Sequence, residues 1–307
     1  MPGGNVIVAE DLRVEFRRRL FGAKLQALQG LNLQVHEGDF FALVGQNGAG
    51  KSTAMYCMLG LLAPTSGKIE VMGRAPDLGS ASNEQVAYLP EEPHYHLYLT
   101  VEEATRYYSA LYGRRVPDSA VADVLDRLGL GPFRSLRLSK CSKGMKQKVG
   151  IAQCLIHQSR LLFLDEPTRG LDPLVVREFR EALREIHKRG TTIVMNSHVL
   201  SEIEMLANRV AIIDAGRVVL QDELQNLLTL DKESYGVTFT PAGDVPSFVS
   251  SVERVGDLVR GLVPKDRLYE FMEYSRVAGA TVQECSLKKA SLEDSFFKIV
   301  HGGRATA

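Results

Sequence analysis

The chain has 307 residues and is 45% apolar, enough for one large core and a smaller module. Lysine plus arginine and aspartate plus glutamate both number 37, so the formal net charge is zero, which argues against nucleic-acid binding by bulk charge. No apolar stretch approaches the roughly 20 residues of a spanning helix, the N-terminus lacks a signal-peptide pattern, and Cys57, Cys141, Cys154 and Cys285 show no CxxC or zinc spacing, as free thiols in a reducing cytoplasm would.

VIVAEDLRVEF and LQGLNLQV read as strands, with the basic loop RRRLFGAK between them. DFFALVG is a short apolar run that fits a buried strand. STAMYCMLGLL is helical and ends near Pro64, and KIEVMG and QVAYLP are strand-like. From Thr100 to about His157 the pattern is helical, with Gly113 and Gly129 suited to stops. LLFLD is a buried strand, and PLVVREFREALREIHKRG is a helix with Pro173 at its start and Gly190 at its end. TTIVMNS is the next strand and VLSEIEMLANR the next helix. RVAIIDAGRVVLQ reads as a hairpin turning at Ala215-Gly216.

Alternating strands and helices imply an α/β core with a largely parallel sheet, interrupted by a helical insert at about 100–157. Composition changes after Leu230. The segments YGVTF, SFVSSVERV (expected helix), DLVRGLV, DRLYEFMEYSRV (helix), TVQECSL and SLEDSFFKIV (helix) predict a small α+β appendage. The expected domains are residues 1–230 and 231–307, with the boundary between 229 and 233.

Two motifs carry chemistry on their own. Gly45-Gln46-Asn47-Gly48-Ala49-Gly50-Lys51-Ser52 fits G-x-x-x-x-G-K-[ST], after an apolar strand and ahead of a helix, the context the motif requires. Its glycines let backbone N–H groups turn toward phosphate oxygens, and the helix N-terminus adds positive partial charge. Lys51 would then reach β- and γ-phosphates, Ser52 would ligate Mg²⁺, and Thr53 would continue the helix beside an α-phosphate. In LLFLDEPTRGLD, Asp165 ends a buried strand at the edge where doubly wound sheets bind ligands, as a second Mg²⁺ group. Glu166 beside it suits a general base acting on water.

GQNGAGKST, SKGMKQK, LLFLDEPTRGLD and Ser197-His198, in that order, resemble the ATP-binding subunits of ABC transporters over residues 5–228. The resemblance implies a P-loop NTPase core with a largely parallel sheet, an antiparallel β subdomain and a helical insert. It also implies that two subunits pack head to tail, each signature loop gripping the nucleotide on the other's P-loop. The signature match is Cys141-Ser142-Lys143-Gly144-Met145. Ser142 offers a hydroxyl, Gly144 lets the backbone approach closely, and the following helix aims its dipole at phosphate. Lys143 replaces the first signature glycine, and phosphate attraction and solubility both account for it. Gly170-Leu171-Asp172 is similar to the family's D-loop, and Asp172 also suits a helix cap. His198 is similar to the switch histidine. Phe16 suits either adenine stacking or a core position. Glu91 stands where the family often has a glutamine that ligates Mg²⁺, and a carboxylate also suits that ion.

The function so implied is an ATPase on the cytoplasmic face of a membrane. It pairs with a second copy of itself or a homologous ATPase subunit, and with a separately encoded transmembrane permease. YLPEEP and the tail ASLEDSFFKIV resemble the drug- and lipid-export branch. The alternatives are an importer or lipid-trafficking ATPase, or a soluble relative acting on ribosomes or DNA. The last usually carries paired cassettes or a long coiled coil, absent from this sequence, so no nucleic-acid partner is expected.

Overall fold

The structure is a computed structural model, described here for residues 4–17, 24–77, 85–111, 116–229, 234–288 and 291–302. The basic loop, the stop at Gly113 and most of the expected domain boundary lie outside these residues. The chain divides into two compact units, Met1–Asp222 and Glu223–Ala307.

The first unit begins with β1 (Asn5–Arg17) and β2 (Lys24–His36), followed by β3 (Phe40–Val44) and α1 (Lys51–Met58). β4 (Ser66–Val71) pairs antiparallel with β1, so that β2-β1-β4 forms a three-stranded antiparallel sheet. β5 (Val86–Leu89) leads to the helical insert of α2 (Val101–Ala110), α3 (Asp118–Arg127) and α4 (Lys143–His157). The chain then runs through β6 (Leu161–Asp165), α5 (Pro173–Lys188), β7 (Thr192–Asn196), α6 (Leu200–Leu206), β8 (Arg209–Asp214) and β9 (Arg217–Glu223). The large sheet has the order β5-β6-β7-β3-β8-β9, with β5 through β8 all parallel. β9 returns through Ala215-Gly216, both at positive φ, as a tight two-residue hairpin turn requires. The expected α/β core, antiparallel subdomain and helical insert are all present.

The reason for this arrangement lies in burial. Every residue of β3, β6 and β7 is buried, which explains their unbroken apolar runs. One core joins Phe41, Phe163 and Val194 of the large sheet, Met55 and Met58 of α1, and Ile7, Leu12 and Leu31 of the antiparallel sheet. α1 is therefore anchored by its apolar residues, which fixes its N-terminus beside the parallel strand ends. In α5 the buried Phe179, Ala182, Leu183 and Ile186 recur at helical spacing.

The insert starts on a capping box: the Glu103 amide donates to Thr100 Oγ1 at 3.2 Å, and the Thr100 amide donates to Glu103 Oε2 at 2.9 Å. Thr100→Ala is expected to lower unfolding free energy by about 0.5–2 kcal/mol, read as a lower denaturant midpoint at unchanged slope.

The second unit opens with α7 (Leu224–Thr229) and carries β10 (Ser234–Thr240), β11 (Ser250–Val255), β12 (Leu258–Pro264), α8 (Leu268–Ala278), β13 (Thr281–Lys288) and α9 (Leu292–Gly302). Its antiparallel sheet has the order β11-β12-β10-β13. Phe239 and Phe271 meet edge to face at 5.2 Å in its core. The compact unit begins at Glu223, ahead of the composition change at Leu230.

One expectation is corrected here. SFVSSVERV is not a helix: its last six residues are β11, paired with β12 across Gly256-Asp257. All six residues of β11 are exposed, so this edge strand has no buried face to impress alternation on its sequence. The local hairpin decides its conformation, with Gly256 at φ +63 supplying the turn.

Candidate nucleotide site

β3 hands the chain to α1 through the glycine loop. A Cβ on Gly45 would lie 2.3 Å from the Ile213 carbonyl oxygen. Gly50 has φ +108, and a Cβ there would lie 2.7 Å from the Ala27 carbonyl oxygen. Both positions exclude any side chain. α1 has no side-chain cap, so the amides of Lys51, Ser52 and Thr53 stand at the positive end of the helix without one. Together with Asn47, Gly48 and Gly50 these residues line a cleft of about 350 Å³. Phe16 and Leu25 line the same cleft, and Phe16 is 41% exposed, which takes it out of the core.

Lys51 is buried and donates to the carbonyls of Gly45 at 2.7 Å and Gln46 at 3.1 Å. Burial pulls its pKa down, and the carboxylates of Glu166 and Asp165 oppose that.

Asp165 sits at the end of β6. Asn196, at the end of β7, donates from Nδ2 to Asp165 Oδ1 at 2.7 Å and to Ser52 Oγ at 3.2 Å. One amide thus holds the hydroxyl of α1 and the carboxylate of β6 side by side. Asn196 Oδ1 is buried without a hydrogen-bond partner among the described residues. Burial pushes the Asp165 pKa up, against the Asn196 hydrogen bond, and the nearby Glu166 and Glu91 carboxylates push the same way as burial.

Glu166 follows at φ +44, a left-handed conformation that costs a non-glycine residue on the order of 1–3 kcal/mol. Its amide donates to the Asn196 carbonyl at 2.8 Å, which holds the strained turn to the end of β7. His198 Nδ1 lies 2.6 Å from Glu166 Oε2. The Glu166 side chain is 12% exposed and that of His198 46% exposed, so the imidazole covers the carboxylate from the solvent side.

Glu91 also lines the cleft, but its Oε1 accepts from the Arg169 guanidinium at 2.8 Å. Its carbonyl accepts from Gln147 Nε2 of α4 at 2.7 Å. Arg169, Asn196 and Gln147 were not singled out in the sequence. Arg169 lies inside DEPTRGLD, and Asn196 directly precedes Ser197-His198. Those positions were the available signals.

Ser142, Lys143, Gly144, Asp172 and His198 do not line the cleft of their own chain. Ser142 is exposed at the N-cap of α4, where its Oγ accepts from the Met145 amide at 3.2 Å. Gly144 is buried against α5, and a Cβ there would meet Val175 Cγ1 at 3.0 Å. Asp172 occupies the N-cap position of α5 but makes no side-chain cap hydrogen bond, so its carboxylate stays exposed.

The family description "ABC transporter" matches residues 28–169. An uncharacterized ABC transporter ATP-binding protein of Nostoc sp. is 33% identical over 95% of this chain and 89% of its own length. The chain belongs to the ATP-binding proteins of ABC transporters. This ATP-binding protein is also similar to the bacitracin transport ATP-binding protein of Bacillus licheniformis, at 31% identity over 93% of this chain and 95% of that one. A solved ATP-binding subunit of an ABC transporter is 29% identical, with a TM-score of 0.64 over 73% of this chain and 92% of the other.

The ATP-binding protein is an ATPase that powers transport and uses ATP with Mg²⁺. The residues present fit both groups. The uncapped helix end and side-chain-free glycines suit a polyphosphate. Two oxygen groups held together, Ser52 and Asp165, suit an ion bound by few side chains plus substrate phosphates.

Proposed function

We propose that two copies of this ATP-binding protein close head to tail over two nucleotides and drive export through a separate transmembrane permease subunit. They would act from the cytoplasmic face of the membrane. No helix among the described residues is long and apolar enough to cross a membrane. The permease subunit would supply the translocation path. The observation that carries head-to-tail closure is the exposed Ser142, an anion-type helix cap that its own chain leaves outside the cleft. Export rests on the resemblance of YLPEEP and on the similarity to a bacitracin transport protein.

In this reading Gly45, Asn47, Gly48 and Gly50 shape the phosphate cradle. Lys51 exchanges its two loop carbonyls for phosphate oxygens. Thr53 lies beside the inner phosphate, and Phe16 stacks on the base. Ser52 and Asp165 would hold Mg²⁺, and Glu91 would join them only if it left Arg169. ATP supplies a phosphoryl group transferable to water, and Mg²⁺ neutralises its oxygens. Glu166 takes the proton from that water, and His198 holds the Glu166 carboxylate in place through Nδ1. Ser142, Lys143, Gly144 and Asp172 act on the partner's nucleotide.

Lys51→Ala tests the cleft directly. Loss of charge-assisted hydrogen bonds worth about 1.5–3 kcal/mol should raise the ATP Kd about 10- to 150-fold. Calorimetric titration reads it, and an unchanged Kd places the nucleotide elsewhere.

A further inference from the structure

Among the described residues, three carboxylates line the nucleotide cleft, Glu91, Asp165 and Glu166, against two cationic side chains, Lys51 and Arg169. Lys51 is committed to the glycine loop. Arg169 is committed to Glu91, at 2.8 Å. The carboxylate at residue 91 is an anion facing an anionic ligand.

The pair is held from both sides. The buried Gln147 of α4 donates to the Glu91 carbonyl at 2.7 Å. The Arg169 amide donates to the Glu166 carbonyl at 3.2 Å, so the guanidinium projects from the same turn as the general base. The Glu91–Arg169 contact therefore ties the helical insert to the catalytic turn. Both side chains are too exposed for the ion pair to matter much for folding.

We propose that Arg169 is a positioning residue: it neutralises the Glu91 carboxylate and holds it off the triphosphate, which lets this site carry an acid at residue 91. The inference rests on the cleft being the nucleotide site. Without Arg169 the cleft keeps Lys51 as its one lining cation among the described residues, against three acids, and a bare carboxylate repels the phosphates.

ATP binding without Mg²⁺ isolates this effect, since no metal competes for Glu91 and no turnover follows. R169A should weaken Mg²⁺-free ATP affinity about tenfold, the factor corresponding to about 1.4 kcal/mol. The same substitution made in an E91Q background should cost no more than about twofold, because the charge it neutralises is gone. R169K should stay within about threefold of the unsubstituted protein, since it keeps the cation and loses only the planar fork. Melting curves on each variant establish that it is folded, and R169K carries the test if R169A is not. Equal losses from R169A in both backgrounds, or no loss in the native one, overturn the proposal. If Lys51→Ala leaves Mg²⁺-free affinity untouched, the cleft assignment fails and takes this inference with it. If Lys51→Ala abolishes binding while Arg169 and Glu91 act additively, only the Arg169 role falls.

Discussion

Glu166→Gln is expected to lower ATP turnover by about 10²–10⁴-fold, the range for loss of a general base, while ATP affinity stays near that of the unsubstituted protein. The substitution is close to isosteric and adds no backbone strain, because glutamine meets the same cost at φ +44 that glutamate already bears. The contact to His198 Nδ1, now 2.6 Å from Oε2, is retained by the amide in one orientation. Lys51, Ser52 and Asp165 are untouched, so nucleotide binding persists without an acceptor for the water's proton. With Mg²⁺ and ATP present, the variant should therefore accumulate as a closed dimer on size-exclusion chromatography. Turnover retained at the normal rate removes Glu166 as the base.

Ser142→Arg is expected to abolish ATP-dependent dimerisation and with it turnover, while ATP binding to the single chain is preserved. Ser142 lies outside its own cleft, so its loss leaves the P-loop site intact. In the closed pair each site loses a charge-assisted contact of about 1.5–3 kcal/mol, and two sites together weaken association by about 10²–10⁴-fold. The cap bond to the Met145 amide, now 3.2 Å, is lost as well. That costs about 0.5–2 kcal/mol of stability in the single chain, so a melting curve must show it still folded. Equal loss of single-chain ATP binding and dimerisation contradicts a role across the interface.

Side chains close together in sequence were legible, and contacts across it were not. The glycine loop, Asp165 and Glu166 are contiguous runs whose spacing states their chemistry. Arg169 finds Glu91 and Gln147 finds the Glu91 carbonyl only once β6 and α4 lie beside the turn after β5. Asn196 joins Ser52 to Asp165 because β6 and β7 are parallel neighbours with Asp165 level with Asn196. Gly144 read as a glycine for ligand approach, yet it also serves α4–α5 packing against Val175, a demand that no local pattern announces. Valines at 249, 252 and 255 fit a helical period, but only Val252 and Val255 lie on the exposed edge strand β11, while Val249 precedes it and is buried.

Mixing the two dead variants tests reciprocity most directly. Chains carrying Lys51→Ala and chains carrying Ser142→Arg, each inactive alone, are combined and ATP turnover is measured. If each copy completes the other's pocket, a mixed pair holds one doubly damaged site and one intact site, and turnover returns. If every chain were sufficient for its own nucleotide, each mixed pair would hold two defective sites and the mixture would stay as inactive as its parts.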